Sequence, residues 1–244
     1  MEIVVPILIA GFLAGMVRGF AGFGAALLFV PIASVFIDPP KAVVLIAAVD
    51  GVLALALLPD AFRTGVRSLV LPLLIGATLT LPMGAYLLSE LDAYLVRWAV
   101  CSLVLISVLC IASGWRYRGP PTQRLAVGAG LASGFMGGLA ALIGPSVMVF
   151  LMHSDMPAKQ LRGTVVLFLA VLLVVGAVVF VALGLVPSTL GPLALTMAPA
   201  YGVGLLIGMK FFQSASEQMF KNVAYLIIVI GAVAGLPLFD SPTR

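Results

Sequence analysis

Gly11-Phe-Leu-Ala-Gly15-Met-Val-Arg18-Gly19-Phe-Ala-Gly22-Phe23-Gly24-Ala25-Ala-Leu-Leu-Phe-Val-Pro31 decides how this chain is read. It sets an arginine, five glycines and a closing proline in an apolar run that would otherwise be a single membrane helix. A charge inside a transmembrane segment costs at least roughly 2.5–3.5 kcal/mol on insertion scales, so Arg18 points to a cavity and a functional role. Glycine at positions 19, 22 and 24 loosens the helix, and unwound backbone at membrane depth survives only where protein buries it or water wets it. The stretch reads as a broken helix beside a polar cavity.

A second copy lies between Gly130 and Pro145. Gly11, Gly15 and Gly19 fall on Gly130, Gly134 and Gly138 at a constant offset of 119, and Gly24 falls on Gly144 after a slip of one residue. Paired glycine- or proline-interrupted apolar segments in the two halves of a membrane protein mark the binding site of a transporter. The proposed halves are residues 1–118 and 119–244, joined by a polar linker near 114–124 that carries Arg116, Arg118 and Arg124.

Composition agrees with a membrane setting. The 244 residues are 63% hydrophobic and 9% charged, with a mean hydropathy of +1.26, which leaves too little polar surface for a water-soluble domain. The net charge of +4 sits in short loops, where it reports orientation and offers no nucleic-acid surface. No basic n-region or cleavage site precedes the first apolar run, so no removable signal peptide is expected. Cys101 and Cys110 lie on opposite sides of one expected helix and read as apolar fillers.

The apolar runs are 3–20, 25–37, 42–58, 69–88 and 94–113, then 125–143, 145–152, 165–185, 190–209 and 220–238. The second run of each half is too short to span a hydrocarbon core of roughly 30 Å. Each first pair is therefore expected to be a broken or re-entrant helix pair, followed by three transmembrane helices. Charge chooses between parallel and inverted halves. With the linker in the cytoplasm and Arg18 left out, parallel halves put six Lys and Arg on each side. Inverted halves put nine inside (Arg63, Arg67, Arg116, Arg118, Arg124, Lys159, Arg162, Lys210 and Lys221) and Lys41, Arg97 and Arg244 outside. The positive-inside rule thus favours an all-α polytopic membrane protein made of two inverted-topology repeats, with both termini outside.

The duplicated Gly-x-x-x-Gly-x-x-x-Gly helix, its Phe-Gly or Gly-Gly break and the apolar tail with Pro31 resemble the sulfite exporter TauE/SafE family over essentially the whole chain. The resemblance is carried most by Arg18 through Gly24 with Pro31, and by Gly134 through Pro145. It implies a bacterial permease of the cytoplasmic membrane for sulfite, sulfonates or related organic anions. The second break departs from the commoner pattern, because Ala140, Ala141 and Leu142 stand where a glycine-rich run is usual.

Arg18 suits a sulfonate or carboxylate, because guanidinium is always charged and offers a planar fork of donors. Its plainer role is a structural ion pair. Asp50, in the third apolar run, is its expected partner, either neutralising Arg18 in the empty state or carrying a coupling proton. Gly22, Phe23 and Gly24 open one short helix, and Gly144, Pro145 and Ser146 open the other, where free N–H groups attract negative charge. Gly11, Gly15, Gly130 and Gly134 are read as close-packing positions. Thr164 either caps a helix or faces the site. His153 lacks a second ligand at metal spacing, and neither metal nor cofactor is expected. Tyr86, Tyr201 and Tyr225 are interchangeable candidates for a cavity wall. The function expected is alternating-access transport of a small anion. A passive anion channel is one rival and an intramembrane enzyme another, the second short of the buried carboxylate pair or Ser/His/acid set it needs. Oligomeric state is left open.

Overall fold

A computed structural model describes residues 3–54, 58–113, 122–151, 156–214 and 217–238. Among them are eleven helices and no strand. They are α1 (Val4–Ala21), α2 (Ala25–Ala33), α3 (Pro39–Ala54), α4 (Leu58–Thr64), α5 (Arg67–Glu90) and α6 (Ala93–Ala112), then α7 (Gln123–Ala140), α8 (Gly144–Leu151), α9 (Ala158–Ala182), α10 (Leu190–Ser214) and α11 (Glu217–Gly235). Five are long and apolar enough to cross a membrane, or six if α3 and α4 form one bent span. Apolar side chains such as Leu79, Val178, Leu195 and Leu206 stand exposed, as a lipid-facing surface requires.

Both breaks fall where the sequence places them. Gly22 closes α1 in the left-handed region (φ 79°) and Gly24 precedes α2 at φ 93°, conformations that glycine adopts without a β-carbon penalty. The second break solves the same geometry differently. Ala141, at the 119-residue offset from Gly22, closes α7 at φ 56° and is the one non-glycine residue with positive φ among the described residues. Pro145 sits in the first turn of α8, where its missing N–H leaves no gap.

Three expectations are corrected. Pro31 does not close the first short helix but lies within α2, which runs on to Ala33. The third apolar run is not straight, since α3 and α4 meet at a bend of 73°. Lys159 and Arg162 belong to the first turns of α9 rather than to a loop before it.

Close packing crosses between the halves. A β-carbon on Gly15 would run into the Tyr201 carbonyl and one on Gly19 into the Leu205 carbonyl, so α1 lies along α10. In the other half, Gly134 meets the Ala77 carbonyl and Gly138 the Leu81 carbonyl, so α7 lies along α5. Gly208 faces Met16 as Gly84 faces Phe135. Each contact maps onto its counterpart at an offset of 119 on α1 and α7 and of 124 on α5 and α10. The partners advance together, so both pairs run parallel. Small residues are what allow such backbone contact between membrane helices.

The chain through α5 also advances with α9, from Gly65, just before α5, against Gly163 to Leu81 of α5 beside Gly176. On the far side of the α9–α10 connection the chain retraces its depth. Leu173 packs on Gly51 and Tyr201 bonds Asp50, although one lies before the connection and the other after it.

Candidate functional site

Arg18 lies in the last turn of α1, one turn before the left-handed Gly22, and is only 2% exposed. Its Nε donates to Asp50 Oδ1 at 2.8 Å, and its Nη1 donates to the Gly22 carbonyl. That carbonyl is one of those left over where the helix stops, so the arginine also holds the break in shape. Arg18 Nη2 is buried and has no partner among the described residues. A buried donor left unmade costs about 1–3 kcal/mol. An incoming acceptor would recover that loss.

Asp50 reaches the same point from α3. Its Oδ1 also accepts from the Tyr201 hydroxyl of α10 at 2.6 Å. Tyr201 is fully buried and its backbone lies against Gly15, so the missing β-carbon there brings the phenol to the carboxylate. Asp50 is 16% exposed and faces a cavity, and no described group bonds its Oδ2. Breaking a buried pair of this kind is far more costly than the pair is stabilising, because one charge stays behind unpaired.

The cavity measures about 220 Å³. Among the described residues, Arg18 and Asp50 are its only charged wall residues, and both breaks contribute to it through Phe23, Gly24, Gly144 and Pro145. The rest of the wall is apolar, with Leu81, Leu169, Leu172 and Phe180 prominent. It reaches Val186 and Leu190 at the α9–α10 connection. At the opposite end of α9 the chain is tightly closed. Gly65 and Gly163 meet backbone to backbone, and the Val66 N–H donates to Thr164 Oγ1 at 3.0 Å. Thr164 therefore holds α5 to α9 and does not line the cavity.

Of the six residues expected to bind substrate, Arg18, Phe23, Gly24 and Gly144 line this cavity. Gly22 stands behind it, with its carbonyl taken by Arg18. Ser146 lies outside the wall, although its buried hydroxyl has no partner among the described residues. The two breaks touch, since a β-carbon on Gly144 would come within 2.8 Å of the Phe23 ring. Ala25 and Ala26 in the first turn of α2 line the cavity as well, where a helix leaves its N–H groups unpaired.

Two residues were not legible as part of the site. Tyr201 stood among three equivalent tyrosines; Tyr86 is exposed on α5, and Tyr225 is half-buried on α11. Arg162 was counted as a loop charge, yet its side chain lies over Gly22 and its Nη2 donates to the Gly19 carbonyl at 3.4 Å. Comparison of the halves carries a signal for Tyr201. Its counterpart is Ala77, and that of Arg18 is Gly137, so polar residues break the repeat where the site forms. His153 lies outside the described residues. No group of three metal-ligating side chains occurs among the described residues.

A family model described as Sulfite exporter TauE/SafE matches residues 7–235. No curated protein and no solved structure matches the chain.

Proposed function

Because the chain belongs to the sulfite exporter TauE/SafE family, a family of membrane transporters and not of enzymes, we propose that it moves a small sulfur oxyanion by alternating access about the Arg18 cavity. The observation that carries this reading is the buried Nη2 of Arg18, without a partner among the described residues, on a side chain that lines a cavity two helix breaks help to build.

In the empty site Asp50 neutralises Arg18. A sulfite or sulfonate oxygen would accept from Nη2, with the first N–H groups of α2 and the Gly144 N–H of α8 completing the cradle on the remaining oxygens. Phe23 and the apolar wall would receive any organic body. Sites of this kind are largely apolar with a few placed polar groups.

Two inverted repeats, residues 1–118 and 119–244, would supply the motion. Support comes from the direction of the helices. α1 runs with α10, α7 runs with α5 and α9, and α10 returns along the depth of α9, so α1 and α7 run opposite ways. With the 114–124 linker in the cytoplasm, the cavity opens outward and the Gly65–Gly163 and Val66–Thr164 contacts form the inner seal. In a bacterial cytoplasmic membrane, a monovalent anion leaving the cell gains about 2.3 kcal/mol per 100 mV, inside negative. Export would run downhill and uptake would need a co-transported cation.

The test is counterflow in proteoliposomes. Labelled sulfite should accumulate transiently against its gradient when unlabelled sulfite is trapped inside, and should saturate with concentration. A flux that is linear and shows no counterflow would overturn alternating access and leave a passive pore.

A further inference from the structure

We propose that Asp50 Oδ2 is a proton seat and that one proton binds with each monovalent anion, Tyr201 acting as the positioning residue that fixes which oxygen takes it. This rests on the anion site proposed above.

The two oxygens of Asp50 are in different situations. Oδ1 is held twice, by Arg18 Nε at 2.8 Å and by the Tyr201 hydroxyl at 2.6 Å. Oδ2 has no described partner, and the residue faces the cavity. A proton arriving from the cavity therefore meets one acceptor, already oriented, while the two bonds to Oδ1 stay in place.

Charge explains why the seat would fill. Empty, the pair sums to zero. A monovalent anion on Arg18 Nη2 would leave one net negative charge in an apolar wall, beside a carboxylate on the same guanidinium. Like charges that close disfavour the charged form of a titratable neighbour. A proton on Oδ2 restores neutrality, and by linkage the anion and the proton each tighten the other's binding. Among the described residues, no other titratable side chain lines the cavity. Of the elements packed on α3, α2 has no titratable side chain. α9 brings only Lys159 and Arg162, in its first turns, and α6 brings Tyr94, Arg97 and its cysteines, none of which lines the cavity. Arg18 from α1 and Tyr201 from α10 are the groups already bonded to Asp50; α10 also carries Lys210 in its last turns, and Lys41 in the first turn of α3 pairs with Asp38, both outside the cavity wall.

The probe is benzenesulfonate, whose charge does not change between pH 5 and 8, whereas sulfite itself titrates. Binding to the purified full chain would be followed by calorimetry in buffers of different ionisation enthalpy. The expected result is uptake of one proton per anion, with affinity falling about tenfold per pH unit on the alkaline side. Asp50→Asn, which keeps an oxygen for Tyr201 and Arg18, should bind with pH-independent affinity and no proton uptake. Tyr201→Phe should keep the uptake but move the pH profile upward, because a hydrogen bond to the ionised form is gone; a merely structural tyrosine would lower stability and leave the profile alone. Wild type that binds with no proton uptake at any pH overturns the proton seat and leaves the anion site standing. A dependence on sodium at constant pH overturns it in favour of a metal cation. No binding at any pH overturns the anion site and this inference with it.

Discussion

Phe23 and Gly144 lie in different halves of the chain and touch, the ring occupying the space that a β-carbon on Gly144 would need. The tips of the two helix breaks therefore meet beside the Arg18 cavity instead of forming two separate pockets. Gly144→Ala places a methyl within 2.8 Å of the Phe23 ring and must displace that ring, which is part of the cavity wall. Overpacking of this kind destabilises by about 1–3 kcal/mol. The expected outcome is weaker anion binding with a modest drop in melting temperature, and recovery of binding when Phe23→Leu is added. Equilibrium binding on the single and double variants checks it.

The Arg18–Asp50 pair carries a larger penalty when half of it is removed. Arg18→Gln leaves the partly buried Asp50 beside Tyr201 without its cation, a change worth up to about 3–5 kcal/mol, the range for fully buried pairs. Arg18→Gln combined with Asp50→Asn removes both charges and keeps hydrogen-bonding atoms in place. The double variant should regain most of the lost thermal stability, a coupling that a double-mutant cycle measures directly.

Ala141 does a glycine's work at φ 56°. A left-handed backbone costs an L-residue roughly 1–2 kcal/mol, and glycine gives back part of that gain through its looser unfolded chain. Ala141→Gly should stabilise by about 0.5–1 kcal/mol, seen as a rise in melting temperature.

Gly84 and Gly208 are expected to behave as one position. Each has a helix backbone where its β-carbon would go, Phe135 in one case and Met16 in the other. Alanine at either should lower the melting temperature by a similar amount, whereas Gly128, with nothing around its missing β-carbon, should accept alanine without loss. Unequal responses at 84 and 208 would count against the duplication.

Much of the fold was legible because a bilayer imposes simple rules on sequence. Long apolar runs gave the membrane helices, and glycine placed the first break, since only a residue without a β-carbon enters the left-handed region freely; the second was placed by its likeness to the first, and its left-handed residue is Ala141. The packing role of Gly15 and Gly134 followed from small-residue spacing. Arg18 was legible because a charge is conspicuous among apolar neighbours, and Asp50 because Arg18 needed a partner. The bend between α3 and α4 was not, as the apolar pattern runs on from Val52 to Leu58 without a glycine or proline before Pro59. Tyr201 was not either. Its meaning lies in the close approach of α10 to α1, which brings a phenol on one helix to a carboxylate on another, and no local pattern encodes that distance.

The most direct test of the anion site is thermal stabilisation of purified wild type and of the Arg18→Gln/Asp50→Asn double variant by sulfite, benzenesulfonate and a carboxylate control. The expected result is that at least one sulfur oxyanion raises the wild-type melting temperature and leaves the double variant unmoved, although that variant melts near the wild type. If the double variant responds as wild type does, or if no anion stabilises either protein, Arg18 and Asp50 are a structural ion pair and the site lies elsewhere.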